Sequence, residues 1–464
     1  MSNTSRSTAE APISPIYDFN EPGQPIALHD GPIGGLAAGD VAGVMELSCT
    51  SGLSFDWRVS PDTPPDFANH SELSLELRRP DGDMHVHAVP HGMNGGWSNG
   101  GTFGDREVPL KRVIAHWFNL PRWRGSIDLL TGTNSGKPPR TRDRWLHEVD
   151  GWRIRLDARP DHSRIWTDLH SSHVYVMTHV MELTRMDGGT FTATEAQPVL
   201  TALHVGISFA LGRWAAPMLP VGVDASGNVA WEDWGSYHCD PARSISPGWW
   251  HERDSGPLEE LLDHVIPAFS DPDRLTSLRL QMMFAITAIS DRGFVEQRIT
   301  MGTAGLEHIM WQLLVLGGQM TKNQYEGRQP YNGTMLRNHD RLRKVLTEAS
   351  ISIDVDAKLS PVTTKFVADE AAPDRQGRIL DGADVVTQIR NRLVHPKGRS
   401  GNRLPAGRPD NRGVVDDTAL PRVVDPQLAG LLRPVPGPKT NPWLGRRRCR
   451  CAMGLTTHPI WLVR

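Results

Sequence analysis

Apolar residues recur along this chain with two periods, and the change from one to the other falls near residue 257. From about residue 23 to 256, short apolar or alternating runs are separated by Gly, Pro, Asn or Asp. Examples are Val41–Leu47, Leu73–Leu77 (L-S-L-E-L), Trp152–Leu156 (W-R-I-R-L) and Val174–Leu183. Successive side chains of a strand point to opposite faces, so alternation of this kind marks a half-buried antiparallel strand. Asp81-Gly82, Asp187-Gly188 and Ser226-Gly227 are turn pairs suited to joining such strands. The pattern predicts a β-rich domain of sandwich type over residues 23–256.

Beyond residue 257 the apolar spacing becomes three and four. Leu258–Phe269 is short and amphipathic. Asp271-Pro272-Asp273 supplies a helix start, with Pro early and acid in the first turn. Leu275, Leu278, Met282, Ala285, Ile286 and Ile289 then define one buried face, up to a break at Gly293. The run Phe294–Leu316 is apolar nearly all round near its end, as the central helix of a bundle should be, and Gly317-Gly318 stops it. Thr334–Ala349 is a further helix rich in Arg and Lys, whose charge reads as a solvated face. Residues 350–376, with Pro361 and Pro373, read as loop, and Ile379–Val394 closes the series. The expected fold class is therefore α+β: an N-terminal β-rich, sandwich-like domain followed by a C-terminal helical bundle over residues 257–398.

Composition adds limits. The 464 residues suggest two or three domains, and a net charge of −3 leaves no global basic field to hold nucleic acid. Gly (44) and Pro (36) are plentiful while hydrophobic residues make up only 38%, which fits many turns. Cys49, Cys239, Cys449 and Cys451 form no framework, so a reducing compartment is expected. The start has no apolar signal segment and no stretch approaches 18 uninterrupted apolar residues. A cytoplasmic protein without a membrane span is the expectation. Residues 1–22 are polar and Pro-containing and read as disordered.

The stretch that carries chemistry is Gln388–Pro396, Q-I-R-N-R-L-V-H-P. Arg390 offers a fixed fork of donors that suits a phosphate. The imidazole of His395 is the kind of group that can take up and release a proton. Together these two groups can cleave RNA without a metal, the 2′-hydroxyl acting as nucleophile and a cyclic phosphate remaining. In an ideal helix residues five apart diverge by roughly 140°. Arg390 and His395 therefore converge only at a frayed helix end or across an interface with a second copy. Pro396 disfavours the α region for His395, which makes a frayed end plausible. Glu307 lies inside the central apolar helix, where a carboxylate needs a partner, and Arg390 is the candidate.

Arg390, Asn391 and His395 fall on the three positions of R-N-x-x-x-H, and the stretch resembles the signature of HEPN domains, small helical bundles of many prokaryotic RNases. Val113–Trp123 (V-I-A-H-W-F-N-L-P-R-W) resembles a strand–turn element of the β-rich N-terminal domain of ApeA-type antiphage proteins, which carry a C-terminal HEPN domain. The resemblance covers roughly residues 25–397 and rests mostly on the order of domains and the terminal motif. It implies a metal-independent endoribonuclease of bacterial defence, with His395 as acid/base, Arg390 on the phosphate, Asn391 orienting and Glu307 supporting Arg390. It further implies a homodimer, RNA as partner with tRNA a candidate, no cofactor or metal, and an unknown trigger ligand on the β domain.

Two other classes compete. One is a non-catalytic bundle used for dimerisation or for RNA or ligand binding. The other is a carbohydrate-binding protein built on the Trp-rich β half, where Ala230–Gly235 (A-W-E-D-W-G) and Ser246–His251 (S-P-G-W-W-H) stand out among 15 Trp. Core and loop packing is the favoured reading of those indoles. His85 and His87 share a strand face, with His91, His170, His173 and His179 further on, but no acidic partner follows at close spacing, so no metal site is expected. Residues 399–464 carry 12 Arg or Lys against 4 Asp, many Pro and no periodicity. This basic tail reads as translated out of frame. With GC-rich codons, another frame over Arg403–Leu432 yields aromatic, Leu and Ile residues at helical spacing.

Overall fold

The computed structural model describes residues 10–60, 70–123, 125, 127–130, 140–235, 237–242, 248–290, 293–354 and 380–395. The chain divides between Leu275 and Thr276 into two compact units. The basic tail, with Cys449 and Cys451, lies outside the described residues.

In the first unit the strands are β1 (Ile26–Gly34), β2 (Val41–Ser48), β3 (Ser54–Val59), β4 (Leu73–Leu77), β5 (Met84–Pro90) and β6 (Gly95–Gly104). They are followed by β7 (Arg112–Phe118), β8 (Ile127–Leu130), β9 (Arg140–Val149), β10 (Trp152–Ala158), β11 (Met177–Arg185), β12 (Pro217–Val223) and β13 (Val229–Asp233). The pairing is antiparallel, as the alternation predicts. A sandwich would have two facing sheets. Here all 13 strands among the described residues belong to one sheet, ordered β3-β2-β1-β4-β5-β6-β13-β12-β7-β11-β10-β9-β8, and β6 pairs back onto β3. The first six strands thus close a small barrel, and the rest extend it.

The reason lies in β6, whose sequence G-G-W-S-N-G-G-T-F-G serves three neighbours. Its first half pairs with β3, its length with β5, and its last residues with β13. Side chains would obstruct this. A Cβ on Gly96 would lie 2.0 Å from the Val89 carbonyl oxygen. At Gly100, where φ is +125°, it would lie 1.8 Å from that of Trp234. Only glycine tolerates such approach and such a φ. Inside the barrel Met45, Leu47, Phe55, Trp57, Leu75, Leu77 and Met84 pack together with Trp234. Leu73–Leu77 alternates in burial as its sequence predicts.

Two helices interrupt the β half without having been anticipated: α1 (His162–Ser172) and α2 (Ala193–Leu211). The start of α2 is written in the sequence. Thr192 accepts from the Glu195 amide and Glu195 accepts from the Thr192 amide, a reciprocal capping box, and Gly212 ends the helix with φ 68°. The helix α3 (Gly256–Phe269), expected to open the helical half, packs against α2 in the first unit. Residues 10–22, read as disordered, are tied to the sheet. The Ile13 amide donates to Asp157 at 2.8 Å, the Ile16 amide reaches His116 Nε2 at 3.2 Å, and Asn20 and Tyr17 are buried. Asp157 is held in turn by Arg144, 2.7 Å away and equally buried. Polar composition alone could not reveal these partners.

The indoles of Trp231, Trp234 and Trp250 are buried, so these members of the two Trp clusters serve packing and offer no stacking platform. His85 and His87 stand on the outer face of β5, whereas His179 is buried against Trp123 and His162.

The second unit contains most of α4 (Pro272–Ile289), then α5 (Val295–Trp311) and its continuation as a π-turn over Gln312–Leu316. A short α6 (Lys322–Tyr325), α7 (Asn338–Glu348) and α8 (Gly382–Val394) follow. Leu306, Ile309, Met310 and Leu314 meet Leu342, Val345, Leu346 and Ala383 in one core. No helix among the described residues is long and apolar enough to cross a membrane.

Three histidines of the first unit make its stability acid-sensitive. Burial pushes His116, His162 and His204 down to about 4. The unfolded chain takes up these protons near pH 6.5 and the folded chain does not. Stability is therefore intact above about pH 6.5 and declines as pH falls toward 4, by up to ~1.4 kcal/mol per pH unit for each histidine. The unfolding temperature of the first unit is expected to fall steadily across that window. A flat profile would contradict the burial of neutral imidazoles.

Candidate functional site

The motif helix α8 begins with a capping box in which Asp381 accepts from the Asp384 amide and Asp384 accepts from the Asp381 amide. Arg343 of α7 then locks the two helices, donating to Asp381 at 2.6 Å and to Asp384 at 3.1 Å. The Arg-rich α7 is thus no simple solvated face, because Arg341 and Arg343 both turn inward to partners. This anchoring at the start of α8 sets where its far end lies.

At that far end the helix stops as the Pro396 argument predicts. His395 has φ −122° and ψ 77°, outside the helical region, while its amide still donates to the Asn391 carbonyl. The departure swings the imidazole back toward Arg390. Arg390 Nη1 lies 3.2 Å from His395 Nε2, a contact in which the guanidinium donates and the ring nitrogen accepts. The same Nη1 lies 3.3 Å from Asn391 Oδ1. Arg390, Asn391 and His395 therefore converge within one chain, by the frayed-end route. Asn391 and His395 are exposed and Arg390 is half-buried.

Glu307 of α5 meets the same guanidinium from the other side, its Oε1 3.4 Å from Arg390 Nη2. All four residues singled out from the sequence are thus joined by direct contacts. Three further residues, absent from that set, complete the surroundings of Glu307. Asn338 Nδ2 donates to Glu307 Oε1 at 3.1 Å. Arg341 Nη2 donates to Asn338 Oδ1 at 3.3 Å, and its guanidinium sits 4.5 Å above the Tyr325 ring. The Tyr325 hydroxyl donates to the Glu307 carbonyl at 3.3 Å. Burial lowers the affinity of Arg341 for its proton and raises the Tyr325 phenol above its ordinary value. Arg341 Nε is buried without a hydrogen-bond partner. No linear spacing joins residues 307, 325, 338, 341 and 390. Helix packing alone assembles them, so periodicity could not expose them.

Chemically the cluster presents one solvent-facing fork of donors, an imidazole whose Nε2 lone pair points at that fork, and a carboxylate that fixes the fork from behind. That arrangement suits an anionic, tetrahedral group approached by a proton-accepting ring.

Two family models match the chain. Residues 105–245 match the YopA central domain and residues 276–413 the YopA C-terminal domain. The second match contains Glu307, Arg390, Asn391 and His395 and continues past Gly398. The SPbeta prophage-derived uncharacterized protein YopA of Bacillus subtilis (strain 168) is 24% identical over 255 residues, 53% of this chain and 51% of that protein. The match thus spans about half the length of that relative. No solved structure matches the chain.

Replacing Glu307 by Gln should weaken the tie between α5, α7 and α8. The pair is partly solvated, so a loss of only about 0.5–1 kcal/mol is expected in chemical denaturation. In a double-mutant cycle with Arg390→Gln the two changes should be less than additive. Full additivity would show that the Glu307–Arg390 contact contributes nothing.

Proposed function

We propose that this chain is a metal-independent endoribonuclease of HEPN type acting in bacterial antiphage defence. The observation that carries the reading is the convergence of Arg390, Asn391 and His395 at the frayed end of α8, with Glu307 behind Arg390. The expectation from the sequence was that these groups could serve one phosphate at a frayed helix end or across an interface with a second copy, and the helix does end at His395.

In this reading an RNA phosphate takes the place of the His395 ring on the guanidinium of Arg390. Freed of that contact, His395 Nε2 accepts the proton of the neighbouring 2′-hydroxyl. The 2′-oxygen attacks phosphorus, the bond to the 5′-oxygen breaks, and a 2′,3′-cyclic phosphate forms. The 5′-oxygen leaves with a proton from water or from His395 of a second copy. Arg390 stabilises the charge that grows on the phosphoryl oxygens, a contribution of several kcal/mol when the donor is prealigned. Glu307 and, through it, Asn338 hold the guanidinium in place. A homodimer and an RNA substrate such as tRNA belong to this proposal. The prophage origin in the relative's printed name fits a role in conflict with phages.

The experiment is an RNA-cleavage time course with the purified chain and total RNA in excess EDTA. The wild-type chain is expected to cleave, and Arg390→Ala and His395→Ala each to lose about 100-fold or more in rate. Glu307→Gln should lose less, because it acts through Arg390. A folded dimer in which His395→Ala cleaves as well as wild type would remove the nuclease reading and leave a dimerisation or binding role for the bundle.

A further inference from the structure

The barrel carries a second built feature, unconnected with the helical cluster. On β3, Phe55, Trp57 and Val59 point into the core and the residues between them point out. Register sets the outward row: Asp56 lies opposite Glu46 of β2 on one side and opposite Trp97 of β6 on the other. Directly opposed residues share a sheet face. An indole and two carboxylates are therefore neighbours on the outside of the barrel. Trp97 is 44% exposed although large and apolar, while Trp57, Trp231 and Trp234 of the same unit are fully buried. Nothing in the packing of the barrel requires an indole at this position.

The row borders a cleft of about 750 Å³ whose lining includes Glu46, Asp56, Arg58, His91, Asn94 and Trp97. Arg58 forms an ion pair with Glu46, which leaves the Asp56 carboxylate as the uncompensated charge of this lining. What remains uncommitted is acceptor capacity. Asp56 receives one donor, the Ser54 hydroxyl at 3.2 Å. Asn94 Oδ1, beside the cleft, is buried with no hydrogen-bond partner among the described residues, an arrangement that costs free energy. The glycines Gly95 and Gly96 keep the cleft wall low beside the indole. A Cβ on Gly95 would also strike the Trp57 carbonyl, so the low wall is enforced by strand pairing.

The ligand that matches has a flat apolar face to lie on an indole and a rim of hydrogen-bond donors to meet the acceptors around it. The Glu46–Arg58 pair is already closed, so the charged acceptor left free for a hydroxyl beside the indole is the Asp56 carboxylate. A pyranose ring has this form, with C–H groups on its face and hydroxyls at its edge. We propose that this cleft is a binding site for a neutral oligosaccharide, with Trp97 as the stacking surface and Asp56 as a hydroxyl acceptor. The site differs from the Trp segments around residues 231–234 and 250, whose indoles are closed to ligands.

Saturation-transfer NMR on the full chain tests this with cellotetraose, maltotetraose, chitotetraose and xylotetraose as probes and guanosine as a stacking control. At least one tetrasaccharide is expected to receive saturation on its ring C–H protons. The signal should fall at least tenfold in Trp97→Ala, fall by a smaller factor in Asp56→Asn, survive in part in Trp97→Phe and stay unchanged in Met93→Ala. Matching melting curves for the variants guard against loss by unfolding. No transfer to any tetrasaccharide from folded protein would overturn the proposal. So would transfer that persists in Trp97→Ala, or transfer to guanosine alone. The measurement involves no RNA and stands or falls apart from the nuclease reading.

Discussion

The helices of the second unit meet around one half-buried carboxylate. Glu307 sits on α5 between Leu306 and Ile309, which belong to the core, and its side chain is only 35% exposed. Arg390 from α8 and Asn338 from α7 bind the carboxylate, while Tyr325 from α6 bonds the backbone of the same residue. Four helices thus meet at one residue. The consequence for function is positional. Arg390 is fixed from behind, and its outward edge is left to Asn391 and His395.

The barrel obeys a different constraint, backbone proximity. β6 can pair with β3, β5 and β13 because five of its ten residues lack a side chain. Closure places outward residues of β2, β3 and β6 in one row and so brings Glu46, Asp56 and Trp97 together. In each unit a rule that serves folding, partner satisfaction in one and strand approach in the other, also determines which polar groups face outward.

Much of this was legible in the sequence, and the failures have physical causes. Alternation identified β-structure, and three-and-four spacing gave the helices from Leu258 to Val394 with bounds close to those observed. The end of α8 followed from Pro396 and the pairing of Glu307 from its apolar setting, both local arguments. The capping box at Thr192 and Glu195 was equally local and was overlooked within an otherwise β-like region. Barrel closure was not legible, because alternation reports which face a residue takes and not which strand it pairs with. The roles of Asn338, Arg341 and Tyr325 were hidden for the same reason. Their neighbours are set by packing across loops. The order of residues 10–22 depends on Asp157 and His116, a hundred or more positions from the amides they bind.

The central claim is that Arg390 and His395 act on one phosphate through the 2′-oxygen. The most direct measurement is the chemistry of the new 3′ ends after cleavage of a defined tRNA in EDTA, read by mass spectrometry of the fragments. The account requires 2′,3′-cyclic phosphate on the upstream fragment, absent when the nucleotide 5′ to the cut carries a 2′-deoxy sugar, which should also block the cut. A 3′-hydroxyl with a 5′-phosphate, or unimpaired cleavage beside the deoxy sugar, would contradict it, because the nucleophile would then be water and not the group His395 is placed to deprotonate.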